Sequence, residues 1–219
     1  MQSMKSSQKS GISRPWRGRE VHLFVVCSII CVGIAFLPPT NALEAKEETG
    51  FEGTRSSDLI QRLCNKTLYF DVCNSSLSSY PRSDHACKWE FGRIAVELSL
   101  SEAQSVYDYI LDLNGTGAAS CAAIEDCVEV LDDMVAELND CLSLMANRNW
   151  TESAEDVKTW LSAALTYPET CVEGFVDEGV EMPQNMKEKL EYLEKLTSNA
   201  LAIATYLSDM ETQKLVPDF

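Results

Sequence analysis

The sequence contains almost no histidine, the side chain that most often serves as an acid or base near neutral pH. It has two histidines in 219 residues, and only His85 lies beyond residue 42. A Gly-X-Ser-X-Gly nucleophile motif, a glycine-rich phosphate loop and a zinc-spaced cysteine pair are also missing. His85 and Cys87 could bind a metal or form a nucleophile pair, but one histidine beside a cysteine expected in a disulfide favours neither. We predict a protein that is not an enzyme, with no catalytic residue, metal site or cofactor.

Basic residues are scarce once the first 42 residues are set aside. Residues 43–219 contain 13 Lys and Arg against 33 Asp and Glu, a formal net charge of −20. Such a surface repels nucleic acid and anionic membranes, and it attracts basic proteins through long-range steering. We therefore predict no nucleic-acid partner, although solubility alone would also account for the acidic composition.

The first 42 residues resemble a secretory signal peptide. An apolar run over residues 21–37 is followed by "PPTNA", in which Ala42 is a suitable cleavage residue. Five basic residues precede the run: Lys5, Lys9, Arg14, Arg17 and Arg19. Cleavage near Ala42 is favoured over an uncleaved signal anchor, and in either case the rest of the chain enters the secretory lumen. We predict a secreted protein with no membrane contact after cleavage, beginning with a flexible linker over residues 43–56.

Potential glycosylation sites support secretion. Four Asn-X-Ser/Thr sequons follow the signal segment, at Asn65, Asn74, Asn114 and Asn149. Each is a predicted surface glycan in a secreted protein.

No segment alternates like a strand, and helical periodicity covers the chain. From residue 121, apolar residues recur at spacings of three and four, which is typical of a bundle helix. They are Cys121, Ile124, Val128, Leu131, Val135, Leu138, Leu142 and Met145. Similar patterns predict helices over residues 87–113, 121–145, 152–167 and 183–210.

Short turns between these helices predict an all-α, antiparallel up-down four-helix bundle over residues 80–210. Two shorter helical pieces over residues 57–79 predict an N-terminal helical hairpin in front of the bundle. Residues 211–219 are expected to form a short tail.

The cysteines test this topology. Cys27 and Cys31 fall in the signal segment, which leaves seven cysteines in an oxidising compartment. If the helices on either side of Asn149 are antiparallel, Cys127 and Cys171 each lie 22 residues from the turn and face one another. A Cys127–Cys171 disulfide is therefore predicted.

The other cysteines give weaker predictions. Cys64 and Cys73 are nine residues apart and fit a clip within the hairpin. About a turn at residue 116, Cys87 lies 29 residues before and Cys141 lies 25 after, so a third bridge is less well registered. Cys121 is then left unpaired, either buried as a small apolar side chain or joined to another molecule.

Four motifs carry a resemblance to the plant invertase and pectin methylesterase inhibitor family. They are "LCNKTLYFDVC", "AAIEDCVEVLDDMVAEL", "DVKTWLSAALTYPETCVEGF" and "LTSNALAIATYL", in that order along residues 57–210. The resemblance implies a four-helix bundle behind an N-terminal hairpin, with disulfides joining the first cysteine to the second and the third to the fourth. A homodimer formed through the hairpin is a further possibility.

The family contains inhibitors of two unrelated enzymes. Invertase inhibitors carry Pro-Lys-Phe in the turn that reads "NRNWTESAED" here, and this sequence has no such tripeptide. The segment "TWLSAALT" is most similar to pectin methylesterase inhibitors and to the pro-regions of long pectin methylesterases. Because the chain stops at Phe219, we expect a stand-alone inhibitor that forms a 1:1 complex with a pectin methylesterase in the apoplast. An invertase inhibitor and a non-inhibitory wall-binding protein are the alternatives.

The resemblance also implies a target-binding face that blocks the enzyme's pectin cleft sterically. Its residues here are Glu129, Asp133, Thr170 and Glu173, which the Cys127–Cys171 bridge would bring together. Ala136 stands where these inhibitors often have an acid, and the adjacent Glu137 points about 100° away on a helix.

Overall fold

The computed structural model of the chain describes residues 49–81, 83–115, 122–147 and 150–215. The predicted signal segment, the start of the predicted linker and the end of the tail lie outside the described residues. So do Cys121 and the sequon residue Asn149.

Helices make up the described part of the chain, and it contains no strand. The α-helices are α1 (Thr49–Cys64), α2 (Phe70–Ser79), α3 (Lys88–Gly115), α4 (Ala122–Leu144), α5 (Ala154–Ala164), α6 (Tyr167–Asp177) and α7 (Gln184–Leu215). Short 3-10 helices, Ser83–His85 and Thr151–Ser153, precede α3 and α5. The all-α prediction is confirmed. α1 begins inside the segment predicted as a linker, and α7 runs five residues beyond the predicted helix end.

The bundle consists of α3, α4, the pair α5 and α6, and α7. The antiparallel register of α3 and α7 is visible at both ends of α3. Lys88 forms an ion pair with Glu211 at 3.2 Å, and the ammonium of Lys189 lies 5.4 Å from the ring centre of Tyr109. The bundle topology and the hairpin in front of it agree with the prediction.

The core is continuous through the bundle, and α4 contributes to it on two sides. α4 packs against α3 on one side and against α5 and α6 on the other. Its buried residues therefore include Cys127, Met134 and Cys141 as well as the predicted stripe positions. Val128 and Val135, predicted in the stripe, are only partly buried.

The helix predicted over residues 152–167 is wrong at its end, because it stops at Ala164 and a second helix, α6, carries Cys171. Pro168 explains the interruption. Proline has no N–H to donate to the carbonyl of Ala164, and its ring clashes with that carbonyl. The chain instead makes a tight turn in which the Thr166 backbone N–H donates to Ala163 O at 2.9 Å. Proline is well tolerated in the first turn of the new helix.

Trp150 closes one end of the bundle beneath α3. Its ring is 2% exposed, its Nε1 donates to the carbonyl oxygen of Trp89 at 3.3 Å, and the two rings meet edge to face at 5.1 Å. Gly92 makes room for it, since a Cβ atom on Gly92 would lie 2.8 Å from the Trp150 ring.

The hairpin of α1 and α2 lies against α7 and the first part of α3. The disulfide Cys64–Cys73 joins its two helices, as predicted. The side chain of Asn199 on α7 fixes the turn between them. It accepts a hydrogen bond from the Tyr69 backbone N–H at 3.3 Å and donates to Tyr69 O at 3.1 Å.

Candidate functional site: an acidic groove between two helices

A disulfide lies between α4 and α6. Cys127 and Cys171 are bonded as predicted, with a Cα–Cα distance of 4.7 Å and both side chains buried. The register continues along the pair, because the thiol of Cys141 faces the carbonyl oxygen of Val157 one helix further. The bridge therefore sits inside an aligned antiparallel contact.

An open groove runs along the surface beside this disulfide. We call it the acidic groove, and its lining residues are Asp126, Glu129, Val130, Thr170, Cys171, Glu173, Gly174 and Asp177. The residues from α4 and those from α6 are each spaced three or four apart, so each set forms one helical face. Four of the eight side chains are carboxylates.

Three of the four predicted target-binding residues line the acidic groove. Glu129, Thr170 and Glu173 are all exposed and come from both helices. Asp133 is exposed one turn beyond Glu129 on α4, outside the groove. It lies near Tyr167, because its charge helps to raise the pKa of that phenol. The structure thus brings together the two helix faces that the prediction combined.

Glu137 contacts α6 and is not available as a substitute for an acid at Ala136. Its Oε1 accepts a hydrogen bond from the Tyr167 hydroxyl at 2.9 Å, and its Oε2 is buried without a hydrogen-bond partner among the described residues. Burial, this hydrogen bond and the charges of Glu137 and Asp133 raise the pKa of Tyr167 to about 12. The pair therefore links α4 to the first turn of α6 beside the acidic groove.

The groove carboxylates have no cationic neighbour within the described ranges. The ion pairs seen there join Lys88 to Glu211, Arg93 to Glu97 and Lys158 to Glu155. None of them involves a lining residue of the acidic groove. Its negative charge is thus available to a partner.

Sequence reasoning missed two acids of the groove, Asp126 and Asp177. Asp126 lies three residues before Glu129, and Asp177 lies four residues after Glu173. Helical spacing from the predicted residues could have found both. It could not show that the space between the helices is open.

The weaker prediction of a Cys87–Cys141 disulfide is wrong, because both thiols are free. Cys87 is exposed just before α3. Cys141 is buried on the side of α4 that faces α5, where its sulfur lies 3.9 Å from Val157 O. Burial raises the pKa of Cys141 to about 12, so this thiol is a packing residue.

The described sequon residues differ in accessibility. Asn65 and Asn74 are exposed and each directly follows a cysteine of the hairpin disulfide, whereas Asn114 at the end of α3 is half-buried. Glycosylation at these positions stays a prediction.

Two further surveys of the described residues gave no site. No group of three or more His, Cys, Asp or Glu in the described ranges is arranged to hold a metal ion. No α-helix within them combines the length and the apolar character needed to cross a bilayer.

Comparison with known proteins gives consistent matches. A sequence profile described as "Plant invertase/pectin methylesterase inhibitor" matches residues 58–203. "Pectinesterase inhibitor 10" of Arabidopsis thaliana is 34% identical over 164 residues, which cover 70% of this chain and 53% of that protein. A "21 kDa protein" of Daucus carota is 30% identical over 159 residues, 68% of this chain and 82% of the carrot protein. The chain thus spans about half the length of the first relative.

A solved structure shares the fold. The crystal structure of a mutant form of a pectin methylesterase inhibitor from Arabidopsis aligns with a TM-score of 0.56. The alignment covers 67% of this chain and 95% of that one, at 16% sequence identity. At this identity the likeness supports the fold alone.

Proposed function

Because the chain belongs to the plant invertase/pectin methylesterase inhibitor family, we propose that it inhibits a plant cell-wall pectin methylesterase by covering the enzyme's pectin-binding cleft. The matched domain is an inhibitor domain and not an enzyme domain. The Arabidopsis relative at 34% identity is named a pectinesterase inhibitor.

One observation carries the choice of binding face. Glu129, Thr170 and Glu173 come from two helices and line a single groove beside a buried disulfide. A surface fixed in this way loses little conformational entropy when a partner binds. Asp133 extends the same exposed face of α4 by one turn.

The proposed inhibition involves no chemical step. The face occupies the cleft where pectin would bind, so the substrate is excluded sterically. The net charge of −20 over residues 43–219 would speed association with a basic esterase, and added salt would slow it. The proposal includes a 1:1 complex, secretion to the apoplast and glycans at the sequons.

The predicted homodimer would exchange the hairpin between two chains. Such an exchange would retain the Tyr69–Asn199 hydrogen bonds across the new interface. Light scattering on the purified protein distinguishes a monomer from this dimer.

A paired assay tests the proposed target. The full chain is expressed in a secreting eukaryotic host, and the purified protein is titrated against a basic plant pectin methylesterase and a cell-wall invertase. We expect inhibition of the esterase and none of the invertase. Inhibition of the invertase alone would identify the other activity of the family, and inhibition of neither at micromolar concentration would favour a wall-binding role.

A charge reversal tests the face. Glu129→Lys combined with Asp133→Lys should weaken esterase inhibition at least tenfold, because two acids of the contact become repulsive to a basic enzyme. Asp108→Lys combined with Asp112→Lys is the matched control, with the same spacing and charge change at exposed positions of α3. Helicity by circular dichroism should be unchanged in both. If the two double variants inhibit equally well, the face is misassigned.

A further inference from the structure

The acidic groove is open at one point because α6 has no side chain there. Gly174 lines the groove in the interior of α6, and a Cβ atom placed on it would meet no other atom within 4 Å. Glycine inside a helix costs roughly 1 kcal/mol relative to alanine. The packing of the described residues thus supplies no reason for glycine at this position, but the groove needs it to stay open.

The groove combines an apolar floor with an acidic rim. Val130 and the disulfide at Cys171 supply apolar surface next to Gly174. The rim carries four carboxylates, Asp126, Glu129, Glu173 and Asp177, without a cationic neighbour in the described ranges. The Thr170 hydroxyl donates to Thr166 O at 3.0 Å, so its own oxygen remains an acceptor.

This combination matches a long basic side chain. Arginine and lysine have an aliphatic stem that packs on apolar surface and a cationic end that bonds to carboxylates. A neutral or acidic side chain would leave the rim charges unpaired in a desolvated interface, which is costly.

We infer that the acidic groove receives one arginine or lysine side chain of the inhibited esterase, and that Gly174 determines specificity by keeping the space for it. This inference rests on the proposed function. It adds that an inhibited esterase presents a protruding basic residue to this groove, so that esterases lacking such a residue escape inhibition.

Two sets of variants of the full secreted chain test this inference. Gly174→Leu fills the groove, and Val176→Leu enlarges a side chain on the same helix at a position that is 72% exposed and outside the groove. Asp126→Asn combined with Asp177→Asn removes two rim charges without changing side-chain size. Each protein is titrated against a basic pectin methylesterase at two salt concentrations, and its melting temperature is recorded.

We expect Gly174→Leu to raise the inhibition constant at least tenfold and to make it less salt-dependent, while Val176→Leu behaves like wild type. The Asn double variant should raise the constant severalfold with the same loss of salt dependence, which a purely structural change would not produce. Wild-type inhibition constants for both Gly174→Leu and the Asn double variant would overturn the groove inference and leave the proposed function intact. Absence of inhibition by the wild-type protein would overturn both.

Discussion

The N-terminal hairpin and the α4–α6 pair each contain one buried disulfide, but the rest of their construction differs. α2 buries only Cys73 and Leu77, whereas α4 buries seven residues along its length. The hairpin bridge spans nine residues of sequence, and the bridge between α4 and α6 spans 44. One region depends on a few local bonds and the other on a continuous core.

This difference separates two uses of a disulfide. In the hairpin, the bridge and the Asn199 hydrogen bonds stand in for a core that two short helices cannot provide. Between α4 and α6 the helices already pack against each other, so the bridge fixes their register. The proposed binding residues depend on that register, because they come from both helices.

Removal of each bridge should give the largest effects and separate the two uses. On the chain-entropy model, Cys127→Ser with Cys171→Ser should lower the free energy of unfolding by about 4 kcal/mol, and Cys64→Ser with Cys73→Ser by about 2.5 to 3 kcal/mol. Esterase inhibition should fall strongly in the first double variant and little in the second. Urea unfolding and inhibition titrations measure both quantities.

Cys87→Ser is the matched control for these changes, because Cys87 is an exposed free thiol and its replacement should alter neither stability nor inhibition. Equal loss of inhibition on removing either bridge would contradict the separation.

Asn199→Ala should have the next largest effect, and it should be confined to the hairpin. The change leaves the Tyr69 N–H and carbonyl without their partner, at a cost of about 2 to 3 kcal/mol. Hydrogen exchange should increase in α1 and α2 and stay slow in α4. In the control Asn139→Ala, the lost side-chain bond runs to Val135 O of the same exposed helix surface, so protection should be unchanged. Uniform loss of protection across the bundle would show that the hairpin does not open separately.

Tyr167→Phe should weaken the α4–α6 side of the comparison by about 1 to 2 kcal/mol, since Glu137 loses its hydrogen-bond donor. The effect should depend on pH. The pKa of Tyr167 is raised from 10 to about 12, so the folded chain favours the protonated phenol. Its contribution is full below about pH 10 and is lost as the pH rises toward 12.

Denaturant unfolding of wild type and Tyr167→Phe at pH 8 and at pH 11 to 12 checks this, and the difference should shrink at the higher pH. Tyr192→Phe, at a surface position, is the control. A difference that stays constant across this range would rule out the Glu137 bond as its source.

The helical class, the hairpin and the pairing of Cys127 with Cys171 were predictable, because each follows from residue spacing. A period of three to four residues identifies helices, and equal distances from a turn place two cysteines side by side. The Cys87–Cys141 prediction failed for a related reason. Distance from a turn gives height along a bundle but does not say which neighbour a side chain faces, and Cys141 faces α5.

The groove itself could not be predicted from the sequence. Glu129 and Glu173 follow from the family resemblance, but spacing does not show whether the space between two helices is filled. Likewise, Pro168 marked a helix boundary without indicating that the chain would resume as α6 after a single turn. Only the packed structure shows that Gly174 faces open space.

The two glycines of the α6 region give the smallest expected effects, with opposite signs. Gly174→Ala should raise the free energy of unfolding by about 0.5 to 1 kcal/mol, because a helical residue with free space around its Cβ gains from alanine. Gly179 follows α6 with φ +65°, and its N–H and that of Val180 bond to Val176 O and Phe175 O, as in a Schellman cap. Gly179→Ala should therefore lower stability by about 1 to 2 kcal/mol, because alanine is strained in this conformation. Thermal unfolding of the two single variants measures both effects, and a stability loss for Gly174→Ala would show that the groove floor is more tightly packed than its geometry indicates.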